Sequence, residues 1–184
     1  VRVNSHDGTF LAYGAYSPDS QMRARAWSFE QSETVGRDFF LSRIRRALNY
    51  REFLGYNAGD GACRLLAAEA DGLPGVVADR YGDYIVVQIS SAGGEFFKKT
   101  IAEVLMEATG CKGVYERSDL SARKKEGLEE TVGLLAGEMP PESLFIMENG
   151  LRFKVDVYHG HKTGFYLDQK ENRRVVRELS AGRH

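Results

Sequence analysis

Alternation of apolar and polar positions marks the start of the chain and a stretch around 144–158, and three segments repeat at helical spacing. In "VRVNSHDGTFLAYGAYS", Val1 to Ser17, two β-rich runs flank Asp7-Gly8, a pair that tolerates the positive φ of a hairpin turn. After a turn at "SPDS", the run "QMRARAWSF" alternates Met22, Ala24 and Ala26 with Arg23 and Arg25, which puts both arginines on one strand face. The period then lengthens. Phe40, Ile44, Ala47 and Leu48 form an apolar helical stripe within 35–54, with Arg37, Arg43, Arg45 and Arg46 around the rest. "GYNAGDGA" ends that helix as a linker.

A second unit opens at Cys63. "CRLLAAEA", "GVVADRYG" and "DYIVVQIS" predict three short strands separated by Gly72-Leu73-Pro74-Gly75 and Gly82-Asp83. Phe97, Ile101, Val104, Leu105 and Ala108 predict an amphipathic helix stopped by Gly110. "KGVYERSD" reads as a further strand. "LFIMENGLRFKVDVY" reads as a hairpin about Asn149-Gly150, with Phe153, Val155 and Val157 alternating with Arg152, Lys154 and Asp156. A last helix starts near Asp168, where Asp168 and Glu171 resemble a capping box. Val175, Val176 and Leu179 give it an apolar side, and Arg173, Arg174 and Arg177 a basic one. The pattern as a whole is α+β.

Composition changes this picture little. The 184 residues are 42% hydrophobic and 28% charged, as in ordinary soluble globular proteins, and allow one to two domains. A net charge of −1 gives no overall pull toward nucleic acid, so such a partner has to be argued from local patches. No apolar run reaches membrane-spanning length, and the start has no signal-like pattern. Cys63 and Cys111 lie far apart, which argues against a disulfide framework or a cysteine-rich zinc site and fits a reducing cytoplasm.

Chemistry is sparse. His159 and His161 would share a strand face, but a metal needs further ligands and only Asp168 follows nearby, so no metal is expected. Neither cysteine has an adjacent His or Lys to lower its pKa, and both read as structural. No glycine-rich nucleotide loop occurs. "ERSDLSARKKEG" carries Arg117, Arg123, Lys124 and Lys125; it is either a solvated loop or, with Arg23, Arg25 and the helix arginines, a phosphate-contacting patch. "GHKTGFYLDQKENR", Gly160 to Arg173, is either a structural crossover or a set of donors at a helix start suited to an anion or a ribose.

In order, "LAYGAYSPDSQMRARAWSF", "AEADGLPGVVADRYGDYIVVQ", "YERSD", "RKKEGL", "GEMPPESL" and "HGHKTGFYLDQKENR" resemble the bacterial ribosomal large-subunit RNA cytosine-5 methyltransferases of the PUA-containing class I type, along nearly the whole chain. The resemblance implies a partial PUA-like β unit at 1–34 that binds ribosomal RNA and a connecting helix and linker at 35–59. It also implies an EEHEE-type α+β middle domain at 60–158, and at 159–184 a lead-in to a Rossmann-like domain that binds S-adenosylmethionine. On this reading the chain, which opens on Val1 rather than Met, stops where the catalytic domain begins. The implied cofactor-side residues are Lys162, Thr163, Phe165, Asp168, Gln169 and Arg173. The implied RNA-side residues are Arg23, Arg25, Arg117, Arg123, Lys124 and Lys125. The nucleophilic cysteine, which would add to C6 of cytosine, is expected outside these residues. The 184 residues alone are therefore expected to be catalytically inactive, to hold the cofactor weakly, and to self-associate where sheet edges are bare. A stand-alone, non-catalytic RNA-binding module is the alternative.

Overall fold

The computed structural model describes residues 1–56, 61–180 and 182. Three strands, β1 (Arg2–Asn4), β2 (Phe10–Tyr16) and β3 (Ala24–Ser28), form an antiparallel sheet in sequence order. The Asp7-Gly8 hairpin is present as a five-residue loop between Asn4 and Phe10, in which Ser5 and Thr9 bond to the Asp7 carboxylate. Helix α1 (Arg37–Phe53) follows. The linker expected in "GYNAGDGA", and with it the expected boundary near 59–60, falls largely on residues 57–60, outside the described residues.

The main sheet contains β4 (Ala62–Ala67), β5 (Val76–Tyr81), β6 (Tyr84–Ile89), β7 (Gly113–Ser118) and β8 (Thr131–Gly137), again in sequence order. Helix α2 (Ala92–Thr109) crosses from β6 to β7 and makes that pair parallel, while the other pairs are antiparallel. The three strands before the helix are those the sequence predicts, one more than the EEHEE order implied by the resemblance, and two strands follow it. Strand β8 is the one the hydrophobic pattern missed. It is an edge strand whose residues are all partly or fully exposed, and two glycines interrupt its run. A separate hairpin of β9 (Leu144–Glu148) and β10 (Leu151–Val155) turns at Asn149-Gly150, as the sequence predicts.

Strand alternation sends the two faces of the main sheet to different partners. Val76, Ala78, Ile85, Val87 and Ile89 join one core with α1 and α2; Tyr81 and Val86 join a second with Leu144, Ile146, Val155 and Val157 of the hairpin region. Phe40, Ile44 and Ala47 of the α1 stripe are buried with Trp27 of β3, Leu48 packs beside them, and Phe40 sits edge-on to Trp27 at 5.1 Å. Burying one such phenylalanine contributes about 1.5–3 kcal/mol. Gly93 allows the small sheet to close on α2, since a Cβ there would lie 2.3 Å from Ala15 Cβ.

Helix α3 (Lys170–Ser180) buries no residue, and Val175, Val176 and Leu179 face water. The capping box does not form. Asp168 instead takes the Lys162 ammonium at 3.0 Å, and Glu171 pairs with Arg174 at 2.9 Å. No described helix is long and apolar enough to cross a membrane.

The small sheet is tied to the main body by charge as well. Arg25 donates to Glu126 at 2.6 Å, the Glu126 side chain being 4% exposed. Burial opposes ionisation of Glu126, but hydrogen bonds from Ser20 and Arg25 outweigh it and hold the carboxyl below its ordinary value of 4.5. This contribution is complete above the ordinary value and disappears as pH falls through the lowered one. Glu126→Gln should therefore lose about 1–3 kcal/mol at neutral pH. In urea titrations its deficit relative to the unsubstituted chain should shrink as pH drops below the glutamate range.

Candidate functional site

Gly160–Arg173 is fixed from beneath by a buried polar chain. Asp79, 1% exposed on the hairpin-facing side of β5, receives a two-pronged bond from Arg64 of β4 at 2.8 and 3.0 Å. Thr163, fully buried, donates its one hydroxyl proton to Asp79 at 2.6 Å, which leaves it as acceptor for the Tyr81 phenol at 2.7 Å. Burial, with the Asp79 charge next, pushes the Tyr81 phenol above its ordinary range, so it stays a neutral donor.

The loop around Thr163 is equally constrained. The Asp156 carboxylate accepts from the backbone N–H of Tyr158 and His159 at 3.1 and 2.9 Å, and the His159 bond is the main reason its pKa is lowered. Arg117 donates to the Gly160 carbonyl at 2.6 Å. Gly164 sits at φ 131 against the Asp156 carbonyl, a conformation a side chain rarely adopts, with only tight space beside it. Lys162 adopts φ 56 without being glycine, and this turns its side chain to the surface.

The six cofactor-side candidates therefore divide. Thr163 belongs to the buried chain. Phe165 packs on Phe153, and Arg173 lies over Phe165 while clamping Glu148 at 2.6 and 2.8 Å. Lys162, Asp168 and Gln169 are exposed, and the Lys162 bond holds the Asp168 carboxyl below the usual range. The polar atoms of these residues engage one another and the sheet. Thr163 and Arg173 are taken up by the sheet and the hairpin, whereas Lys162, Phe165 and Asp168 line one cleft.

The RNA-side candidates also divide. Arg25 is paired with Glu126. Arg117, 6% exposed, is bonded to Gly160 and Asp119, not to solvent. Arg123, 1% exposed, donates to the carbonyls of Ile89 and Glu129 at 2.6 Å and to Glu95 at 3.0 Å. Arg117 and Arg123 are thus turned to internal acceptors, and Arg25, its side chain 20% exposed, is held by Glu126, so these three offer a surface polyanion less charge than their number suggests. Arg23, Lys124 and Lys125 are exposed, and Lys124 has a Glu130 partner at 3.4 Å.

His159 and His161 lie in a turn, not on a strand, and the described residues hold no group of three or more His, Cys, Asp or Glu placed for a metal. Burial pushes both the Cys63 and the Cys111 thiol up, the opposite of what a nucleophile needs. Sequence reasoning missed Asp79, Arg64 and Tyr81. The available signal was an acid inside the apolar run "GVVADRYG", two residues before a tyrosine on the same strand face.

A cleft of about 380 Å³ opens beside this buried polar chain, between the end of α1, β4 and the 162–170 segment. Arg51, Arg64, Lys162 and Lys170 contribute to its lining, with Tyr50, Tyr56 and Phe165.

Residues 102–184 match the family model described as S-adenosylmethionine-dependent methyltransferase. Over 173 residues, 94% of this chain, the sequence is 49% identical to Ribosomal RNA large subunit methyltransferase I of Aliivibrio fischeri (strain MJ11). Over the same share it is 54% identical to the protein of that name from Vibrio vulnificus (strain YJ016). The chain spans 44% and 43% of the lengths of these relatives. In fold, the whole chain superposes on 46% of a Streptococcus mutans protein classed as a SAM-dependent methyltransferase, with a TM-score of 0.78 at 23% identity. A structure of a protein classed as a methyltransferase and complexed with SAH gives 0.77 at 22% identity, over 94% of this chain and 43% of that one.

Thr163→Val should strand the Tyr81 hydroxyl and remove one donor from Asp79, a loss of about 2–4 kcal/mol by urea unfolding. Thr163→Ser keeps the proton chain and should cost about 1 kcal/mol. Equal losses for the two would remove the hydroxyl from this account.

Proposed function

We propose that this chain is the RNA-handling portion of an S-adenosylmethionine-dependent methyltransferase that acts on cytosine C5 of large-subunit ribosomal RNA. The observation that carries the reading is the 49–54% identity, along 94% of the chain, to proteins named Ribosomal RNA large subunit methyltransferase I. The three-stranded unit β1–β3 serves as the PUA-like RNA-binding part, with Arg23, Lys124 and Lys125 as the exposed cations closest to its role. The 159–184 segment supports the cofactor-binding domain from outside: Thr163, Phe165 and Arg173 hold its shape, and Lys162, Asp168 and Gln169 present its polar surface. S-adenosylmethionine supplies the methyl group. Both cysteines here are poor nucleophiles, so attack on C6 falls to a residue outside this chain, and the 184 residues alone transfer no methyl group.

The test uses labelled S-adenosylmethionine and unmodified large-subunit ribosomal RNA. It compares the 184-residue chain with a protein carrying these residues at the length of its relatives. Label should appear at C5 of cytosine with the longer protein only. Transfer by the short chain would overturn its inactivity, label at another atom the cytosine-C5 assignment, and no transfer by either the enzyme reading. In that last case retained RNA binding would favour a non-catalytic module.

A further inference from the structure

The cleft between α1, β4 and the 162–170 segment combines two chemistries that the proposed phosphate contacts at Arg23, Lys124 and Lys125 lack. At the end of α1, Tyr50, Phe53 and Tyr56 are 56%, 84% and 48% exposed, an unusual density of aromatic surface in water. Cations stand against two of these rings: the Lys170 ammonium lies 5.8 Å from the Tyr56 ring centre, and the Arg51 guanidinium 5.9 Å from that of Tyr50. Arg64 keeps 43% of its side chain exposed even while bound to Asp79.

Among the described residues, three acids near the cleft are matched, while Glu52 on the last turn of α1 is exposed beside Tyr56. Asp71 takes both prongs of Arg51 at 2.5 and 2.6 Å, Asp79 takes Arg64, and Asp168 takes Lys162. Lys170 adds a further positive charge to the lining. The wall therefore offers rings to stack on and cations to meet phosphate, on a backbone held rigid by the Asp79–Thr163 chain. An extended single strand presents both a free base face and a phosphate per nucleotide; a duplex hides its base faces. An acidic peptide would use the cations but leave the rings without purpose.

We infer that this cleft binds a short single-stranded stretch of RNA, with bases stacked on Tyr50 and Tyr56 and the backbone along Lys170 and Lys162. The inference rests on the RNA reading above and adds to it the place and the strandedness of the contact. The experiment is fluorescence anisotropy of the full 184-residue chain with labelled oligouridylate of about ten nucleotides and with an RNA duplex of matching length.

The single strand should bind more tightly. Tyr56→Ala and Tyr50→Ala should each weaken it about tenfold, while Tyr56→Phe, which keeps the ring, should bind nearly as the original. Lys170→Gln should lower the slope of log affinity against log salt by about 0.7, a readout that holds even if an alanine variant folds poorly. Tyrosine and Lys170 variants that leave single-strand binding unchanged, with Lys125→Gln weakening it, would overturn the cleft and keep RNA binding at the other patch. Equal affinity for duplex and single strand would overturn the strandedness. Absence of binding to either RNA would overturn the RNA reading itself, and the cleft assignment with it.

Discussion

The carboxylate of Asp79 is the constraint around which this molecule is arranged. A charged group taken almost wholly out of water is tolerable only when neutralised and hydrogen-bonded on several sides. Arg64 supplies the charge from the neighbouring strand, and Thr163 supplies a proton across a sequence separation of 84 residues. Tyr81 completes the chain on the same face of β5. One acid thus fixes the position of β4, the face of β5 and the course of the 156–166 loop together. The loop's backbone groups are met separately, by the Asp156 carboxylate and carbonyl and by Arg117.

The same device recurs wherever elements far apart in sequence meet. Arg51 joins α1 to Asp71, Arg25 joins the small sheet to Glu126, and Arg173 joins the start of α3 to Glu148. Arg123 closes the end of β6 onto the start of α2 through the Ile89 carbonyl and Glu95. Arginine suits this work because its planar fork can satisfy two or three acceptors at once. The cost is that these guanidinium groups are withdrawn from the surface. A chain with 25 basic residues consequently has far fewer cations to offer a polyanion than its sequence suggests.

That difference sets what could be read in advance. Helices α1 and α2 were legible because each has one buried stripe, and periodicity reports burial on one side directly. The Asn149-Gly150 hairpin was legible because its turn chemistry is local. Strand β8 was not, since an edge strand with Gly133 and Gly137 carries no alternating signal and is defined by its pairing with β7. The site was harder still. A charge run such as "ERSDLSARKKEG" looks the same whether its arginines face solvent or core, and only the long-range partners Gly160, Ile89 and Glu95 distinguish Arg117 and Arg123 from Lys124 and Lys125. Asp168 looked like a helix cap for a similar reason: spacing shows which bond is possible, and Lys162 offered the stronger, charged partner.

Helix α3 shows how far this charge-based construction extends. Its apolar residues Val175, Val176 and Leu179 are largely exposed and none is buried. What holds it is Arg173 at its first turn, clamped to Glu148 and stacked on Phe165, with Arg177 reaching the Asn149 carbonyl one turn later. Both contacts run to the β9–β10 hairpin, which itself packs on the face of the sheet that bears Tyr81. The helix is therefore referenced, through one hairpin and one loop, to the same buried acid that fixes Lys162. Lys162 is the immediate neighbour of Thr163 and has a left-handed backbone, and its carbonyl accepts from Gln88 at 3.3 Å. The cleft's charge is thus set in part from inside the sheet, where Thr163 gives a proton to Asp79 one residue from Lys162.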